Sequence, residues 1–162
     1  MSKKNVTKIL FVVYIILLIW IILFKLSFSF QSIDRIRGIN LIPFAGSVVA
    51  NGEIDMDEII NNALIFVPFG IYLSTLFPKW KAVKKELVIL GFSILIEVLQ
   101  YILSVGATDV TDIIMNGVGA GIGIMLYSIC IRMFKSKANF IINIFALIGT
   151  ACFILLLYLI LW

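Results

Sequence analysis

The chain has no histidine, two cysteines and three prolines among its 162 residues, and only 14% of its residues are charged. Without histidine it lacks the commonest general base and can form neither His-ligated metal centres nor a Ser-His-Asp arrangement. Cys130 and Cys152 fall on separate apolar segments, so we interpret them as packing residues and not as a disulfide or metal pair. The sequence therefore predicts no metal site and no cofactor.

Hydrophobic residues make up 62% of the chain, well above the roughly half that is typical of a soluble domain. So few polar residues cannot cover a fold in water, which indicates a membrane protein. Five apolar segments are each close to the roughly 20 residues needed to cross a hydrocarbon core. We predict an all-α integral membrane protein with a single domain over 1–162. Its helices are expected at about 6–26, 61–77, 87–105, 113–131 and 140–161.

Basic residues predict the orientation of this bundle. Ten of the 13 Lys and Arg residues fall on one side of it, namely Lys3, Lys4, Lys8, Lys79, Lys81, Lys84, Lys85, Arg132, Lys135 and Lys137. The positive-inside rule makes that side cytoplasmic. The N-terminus is then cytoplasmic, the C-terminus extracellular, and the loop over 27–60 extracytoplasmic. Because this asymmetry accounts for the net charge of +4, we predict no nucleic-acid partner.

Glu97 lies in the middle of the third apolar segment. A carboxylate at membrane depth is costly and usually faces a bundle interior or a wet cavity. Gln100 shares its helix face, and after a short turn Asp112 and Asn116 share a face of the next helix. If these two helices are antiparallel neighbours, all four side chains can converge near the outer membrane surface. A structural role is the alternative, since Glu97 can belong to a buried pair that fixes helix packing, and Asp109 or Asp112 can cap the fourth helix.

The extracytoplasmic loop and its borders contribute further polar candidates. Arg35 and Arg37 are its arginines, and a guanidinium here can pair with a buried carboxylate or bind a phosphate or carboxylate ligand. Ordinary loop charges are the alternative for both. Asn40 follows Arg37 by three residues, and Asn62 lies at the outer entrance of the second helix.

Proline and glycine residues are interpreted as structural. Pro68 interrupts the hydrogen bonding of the second helix and should bend it, and Gly70 loosens the same helix. The fourth segment carries two overlapping GxxxG pairs on nearly opposite faces, which favours a central helix packed on both sides. The residues in this structural group are Pro43, Pro68, Gly70, Gly117, Gly119, Gly121 and Gly123.

Four short motifs follow one another along the chain. They read Arg37-Gly-Ile-Asn-Leu-Ile-Pro-Phe44, Asn62-Ala-Leu-Ile-Phe-Val-Pro-Phe-Gly70, Glu97-Val-Leu-Gln100 and Asp109-Val-Thr-Asp-Ile-Ile-Met-Asn116. Each motif alone is weak, but four in this order are specific. Over most of its length the chain thereby resembles the VanZ family of glycopeptide-resistance accessory proteins. The resemblance implies low-level teicoplanin resistance in the plasma membrane of a Gram-positive bacterium, and it supplies no mechanism.

Three functions are compatible with these residues. The first is a non-enzymatic resistance protein that binds an amphiphile: a membrane lipid, a lipid-linked wall precursor or the lipoglycopeptide itself. An outward-facing cleft would hold the head group, lined by Arg37, Asn40, Glu97, Gln100, Asp112 and Asn116. The second is an intramembrane enzyme in which Glu97 and Asp109 or Asp112 form an acid/base pair on a lipid-linked or glycosidic substrate. The third is a small transporter. The oligomeric state is not predicted.

Overall fold

Five long helices make up most of the part of the chain that the structure describes. The computed structural model describes residues 3–24, 36–44, 49–50, 53–54 and 56–161. Its helices are α1 (Lys3–Phe24), α2 (Met56–Leu76), α3 (Ala82–Leu103), α4 (Val110–Phe134) and α5 (Ala138–Leu161). The first three are long and apolar enough to cross a membrane, as is the stretch Val110–Leu159, which holds α4 and α5. The all-α prediction is confirmed.

Helices α2 and α3 begin about five residues before the predicted starts at 61 and 87. Their first turns are charged, so hydropathy alone gives starts that are too late. Asp57 and Glu58 lie in the first turn of α2, where acidic side chains complement the positive end of the helix dipole. Both helices are therefore longer than predicted, because each begins with a polar turn that precedes its apolar centre.

A short parallel pair of strands joins the long loop to the turn between α3 and α4. Strand β1 (Ile36–Asn40) pairs with β4 (Val105–Asp109), and Asn40 lies opposite Asp109. The loop also holds β2 (Val49–Ala50) and β3 (Glu53–Ile54), which pair antiparallel. The sequence analysis assigned no strand to these segments. We refer to the end of the bundle that carries β1 and β4 as the sheet end, and to the opposite, lysine-rich end as the basic end.

Helices α3 and α4 are antiparallel neighbours, as the short connection between them predicts. Asn116 Nδ2 on α4 donates a hydrogen bond to Ser93 Oγ on α3 at 2.8 Å. At the basic end the chain turns at Lys135, whose φ is 47°, and passes through one turn of 3₁₀ helix before α5. The start of α5 lies beside the start of α1, since Thr7 Oγ1 donates to Asn143 Oδ1 at 2.9 Å.

Glycines on α4 face both of its main neighbours. A Cβ atom added at Gly119 would overlap the carbonyl oxygen of Ala63 on α2, and one added at Gly123 would overlap that of Val67. Gly117 and Gly121 instead face Leu90 and Glu86 on α3. Helix α4 therefore packs closely on two sides, and its approach to α2 leaves no room for side chains.

Both cysteines are free, but their environments differ. Cys130 on α4 is half-buried, whereas Cys152 on α5 is exposed. The packing interpretation is therefore wrong for Cys152, because this residue lies on a face of α5 that contacts no other helix closely enough to bury it.

Candidate functional site

Glu97 lies on α3, six residues before the last residue of that helix, or about 9 Å along the helix axis. Its side chain is 2% exposed. Glu97 Oε2 accepts a hydrogen bond from the backbone N–H of Asp109 at 3.1 Å. The hydroxyl of Thr108 donates to the backbone carbonyl of Glu97 at 3.0 Å. Strand β4 thus folds back over the last turns of α3 and encloses the carboxyl group.

Asp109 caps α4. Its Oδ1 accepts a hydrogen bond from the backbone N–H of Thr111 at 2.7 Å, which satisfies one of the free amides in the first turn. Its Oδ2 accepts from Asn40 Nδ2 at 3.0 Å. The oxygen of the same Asn40 amide accepts from the backbone N–H of Ile42 at 3.1 Å. Of the two roles considered for Asp109, the structure therefore supports capping.

Thr111 attaches the loop to the same helix end. This residue is 1% exposed, and its hydroxyl oxygen accepts a hydrogen bond from the backbone N–H of Phe44 at 3.0 Å. Phe44 has a φ of 61°, a conformation that few non-glycine residues adopt. The sequence analysis did not single out Thr108 or Thr111. The sequence feature that could have indicated their role is their position on either side of Asp109, the residue that caps α4.

Asp112 connects α4 to α2. Asn62 Nδ2 donates a hydrogen bond to Asp112 Oδ1 at 2.6 Å. The carboxylates of Asp112 and Asp109 both lie close enough to Glu97 to repel its negative charge. Three acidic groups from α3 and the start of α4 therefore share one end of the bundle, held by amides from α2 and β1. We refer to Asn40, Asn62, Glu97, Asp109 and Asp112 as the acidic cluster.

Gln100 and Asn116 each lie about one helical turn from a member of this cluster. Gln100 follows Glu97 on the same face of α3, and Asn116 follows Asp112 on the same face of α4. Gln100 Nε2 donates to the backbone carbonyl of Ile22 on α1 at 3.2 Å, and Asn116 Nδ2 donates to Ser93. The remaining side-chain oxygens, Gln100 Oε1 and Asn116 Oδ1, are buried and accept no hydrogen bond within the described part of the chain. Buried acceptors are rarely left unpaired, because each then forfeits its interaction with water.

The structure brings the predicted site residues together to different extents. The acidic cluster is one contiguous group at the sheet end, whereas Gln100 and Asn116 make their hydrogen bonds away from it. Arg37 lies in β1 opposite Gly106, but its side chain and the whole of Arg35 fall outside the described residues. Pairing between an arginine and these carboxylates stays a prediction. Within the described residues, acceptor oxygens therefore dominate the site.

The residues interpreted as structural are distributed along the bundle. Pro43 is in an exposed turn directly after β1, and Pro68 lies within the continuous helix α2. Gly70 is buried against α4, where an added Cβ atom would overlap the backbone carbonyl of Ala120.

Comparisons with known proteins assign the family. A family model described as VanZ/LLP1 matches residues 11–135. The chain is also 35% identical over 136 residues to a protein from Enterococcus faecium named Protein VanZ, an alignment that covers 83% of this chain and 81% of the relative. No solved structure matches the chain. Together with its apolar helices, these matches show that the chain is a multi-pass membrane protein that belongs to the VanZ/LLP1 family.

Proposed function

We propose that this chain confers low-level resistance to teicoplanin-type lipoglycopeptides by binding an amphiphile at the outer surface of a Gram-positive plasma membrane. Membership in the VanZ/LLP1 family supports a role in glycopeptide resistance. The amphiphile is either the drug, through its lipid tail, or a lipid-linked wall precursor. The binding region is the acidic cluster at the sheet end, which the distribution of lysines predicts to face the cell exterior.

The burial of Glu97 within the acidic cluster is the observation that carries the proposal. A carboxyl group that serves packing alone needs only one or two donors, and an apolar pair of similar volume would be at least as stable. Here three acidic side chains and two amides from five elements meet at one end of the bundle. Such a concentration of polar groups at membrane depth is typical of a functional site.

The chemistry of the cluster favours a ligand that donates hydrogen bonds. Its carboxylates are acceptors, and the nearby oxygens Gln100 Oε1 and Asn116 Oδ1 are buried acceptors as well. Sugar hydroxyls and amino groups are suitable partners, and both occur on glycopeptides and on lipid-linked sugars. A phosphate would meet repulsion from the carboxylates unless Arg37 contacts it.

Exposed apolar side chains beside the cluster provide a surface for the lipid part of the ligand. Val98 and Ile102 on α3 are 46% and 60% exposed and follow Glu97 within two turns. Ile39 and Leu41, on either side of Asn40, are also exposed. The polar cluster therefore borders an apolar surface on two elements, which is the arrangement that an amphiphile requires.

An intramembrane enzyme is the second candidate function. Two neighbouring carboxyl groups are the minimum set for acid/base catalysis on a lipid-linked or glycosidic substrate, and Glu97 with Asp112 supplies them. Asp109 is also close to Glu97, and its two oxygens accept the hydrogen bonds that cap α4 and hold β1. Glu97 can therefore form this pair with either Asp112 or Asp109, as the sequence analysis allowed.

Resistance to two related drugs tests recognition of the lipid tail. When the chain is expressed in a susceptible Gram-positive host, we expect the inhibitory concentration of teicoplanin to rise by several dilution steps. That of vancomycin, which lacks the acyl chain, should stay within one step of the empty-vector strain. Equal protection against both drugs would contradict recognition of the tail and leave a wall precursor as the ligand.

A further inference from the structure

A second candidate site lies at the basic end, away from the acidic cluster. A cavity of about 440 Å³ separates α5 from α2 and α4, a volume within the range of small-molecule sites. Apolar atoms line almost all of it, including those of Ile71 on α2, Leu126 on α4, and Ile142 and Phe145 on α5. Tyr72, Tyr127 and Thr150 are lining residues that carry a hydroxyl group.

The shape of the cavity matches a hydrocarbon chain. Its lining extends along α5 from Ile141 to Thr150, or about 13 Å at 1.5 Å per residue. Along α4 it extends from Leu126 to Phe134, or about 12 Å. One leaflet of a bilayer has a hydrocarbon depth of about 15 Å. The cavity is also partly open, so it is accessible from outside the bundle.

Positive charge surrounds the end of the cavity nearest the basic loops. Lys85 is buried, and its ammonium lies 5.7 Å from the ring centre of Tyr127 in the cavity wall. Lys135 and Lys137 form the turn into α5, which directly follows the lining residue Phe134. Basic pockets between helices on the cytoplasmic side of a membrane attract anionic lipid head groups.

Acidic side chains do not offset this charge in the described part of the chain. Glu86 is the acidic residue near this end, and its carboxylate lies on the α3 side of α4, within 4 Å of a Cβ built at Gly117 or Gly121. The cavity lies between α4 and α5, on a different side of α4.

We propose that this cavity holds one acyl chain of an anionic phospholipid of the cytoplasmic leaflet, whose head group binds Lys85 and the lysines of the turn before α5. The lipid would then fill the space between α5 and the remainder of the bundle. This site is distinct from the acidic cluster at the sheet end and does not depend on the proposed resistance mechanism.

Retention of lipid by the purified protein tests the proposal. The full chain, transferred from nanodiscs of equal phosphatidylglycerol and phosphatidylcholine into mild detergent, is analysed by native mass spectrometry. We expect bound phosphatidylglycerol to exceed bound phosphatidylcholine by about tenfold, the effect of one to two basic side chains near a membrane surface. Equal retention of both lipids would overturn the assignment of an anionic lipid.

A matched pair of glycine substitutions locates the bound chain. Gly149 lines the cavity, and Gly91 lies on α3 away from it, and a Cβ atom added at either has no neighbour within 4 Å. Gly149→Phe should lower bound phosphatidylglycerol about tenfold by filling the cavity, whereas Gly91→Phe should leave it unchanged. Unchanged retention in Gly149→Phe, with thermal unfolding like that of the parent, would overturn the site.

Charge removal tests the head-group contacts separately. The double variant Lys135→Gln and Lys137→Gln should lower the preference for phosphatidylglycerol over phosphatidylcholine about tenfold, while leaving the retention of phosphatidylcholine as it was. A preference equal to that of the parent would refute the proposed role of these cations.

Discussion

Replacing Glu97 with alanine is expected to lower teicoplanin resistance to that of a strain without the protein. The substitution removes the central carboxylate of the acidic cluster and leaves the backbone N–H of Asp109 without its acceptor. It also opens space beside Asp112. The measurement is the inhibitory concentration of teicoplanin at matched amounts of membrane protein, determined by immunoblotting. Full resistance in Glu97→Ala would contradict a role for the cluster in binding.

The isosteric substitution Glu97→Gln separates binding from catalysis. Glutamine keeps the size of the side chain and an oxygen that can accept from Asp109, but it cannot transfer a proton. The binding proposal predicts that most of the resistance survives, whereas the enzyme alternative predicts its loss. Glu86→Gln is the matched control, because it makes the same change on α3 near the basic end. Loss of resistance in Glu97→Gln alone would favour catalysis.

Adding a single methyl group at Gly119 is expected to destabilise the bundle severely. The new Cβ atom would overlap the backbone carbonyl of Ala63, and backbone atoms cannot move aside as the end of a side chain can. Helices α2 and α4 would have to move apart, although the contact between them is the most extensive between any two elements of the described chain. Overpacking of this kind typically costs about 1–3 kcal/mol and occasionally more. We expect Gly119→Ala to lie at or above the upper limit.

Gly91→Ala is the control for this effect. Gly91 is an exposed helical residue, and an added Cβ atom there has no neighbour within 4 Å. Alanine has a higher helix propensity than glycine, so this variant should match the parent or gain up to about 1 kcal/mol. Thermal unfolding in detergent compares the two variants. Equal unfolding temperatures would show that α2 and α4 do not pack as closely as described.

The sequence predicts the helices and the burial of Glu97 well, because both depend on local composition. Apolar segments of membrane-spanning length can form only a few structures in lipid, and an acidic side chain within one must face protein or a cavity. The connection between α3 and α4 is also short, so these two helices are expected to lie side by side and antiparallel. These features follow without knowledge of distant contacts.

Pairing between β1 and β4 could not be predicted in the same way. Asn40 and Asp109 are 69 residues apart, and their strands are short, with no clear alternation of apolar and polar residues. The segment around Gly106 resembles a turn when it is considered alone. Its strand conformation depends on a partner that the loop supplies, so a local pattern cannot indicate it.

The functions of individual polar residues also depended on these distant contacts. The sequence allowed Asp109 to be either a cap or a site residue, and the bond to Thr111 favours the cap. Gln100 shares a helix face with Glu97, yet its amide donates to Ile22 on α1. The position of α1 relative to α3 depends on packing across the whole bundle, which the spacing of residues along one helix does not determine.

Photo-crosslinking tests most directly the central claim that the acidic cluster is part of an outward-facing amphiphile site. A benzophenone side chain is introduced at Leu41, which is 74% exposed and adjacent to Asn40, and as a control at Met133, which is 67% exposed near the basic end. Intact cells are irradiated with teicoplanin and, separately, in the absence of drug. We predict a drug adduct or a lipid-precursor adduct at Leu41 that Glu97→Ala abolishes, and neither adduct at Met133. Equal labelling at both positions, or labelling at Leu41 that is independent of Glu97, would contradict the account.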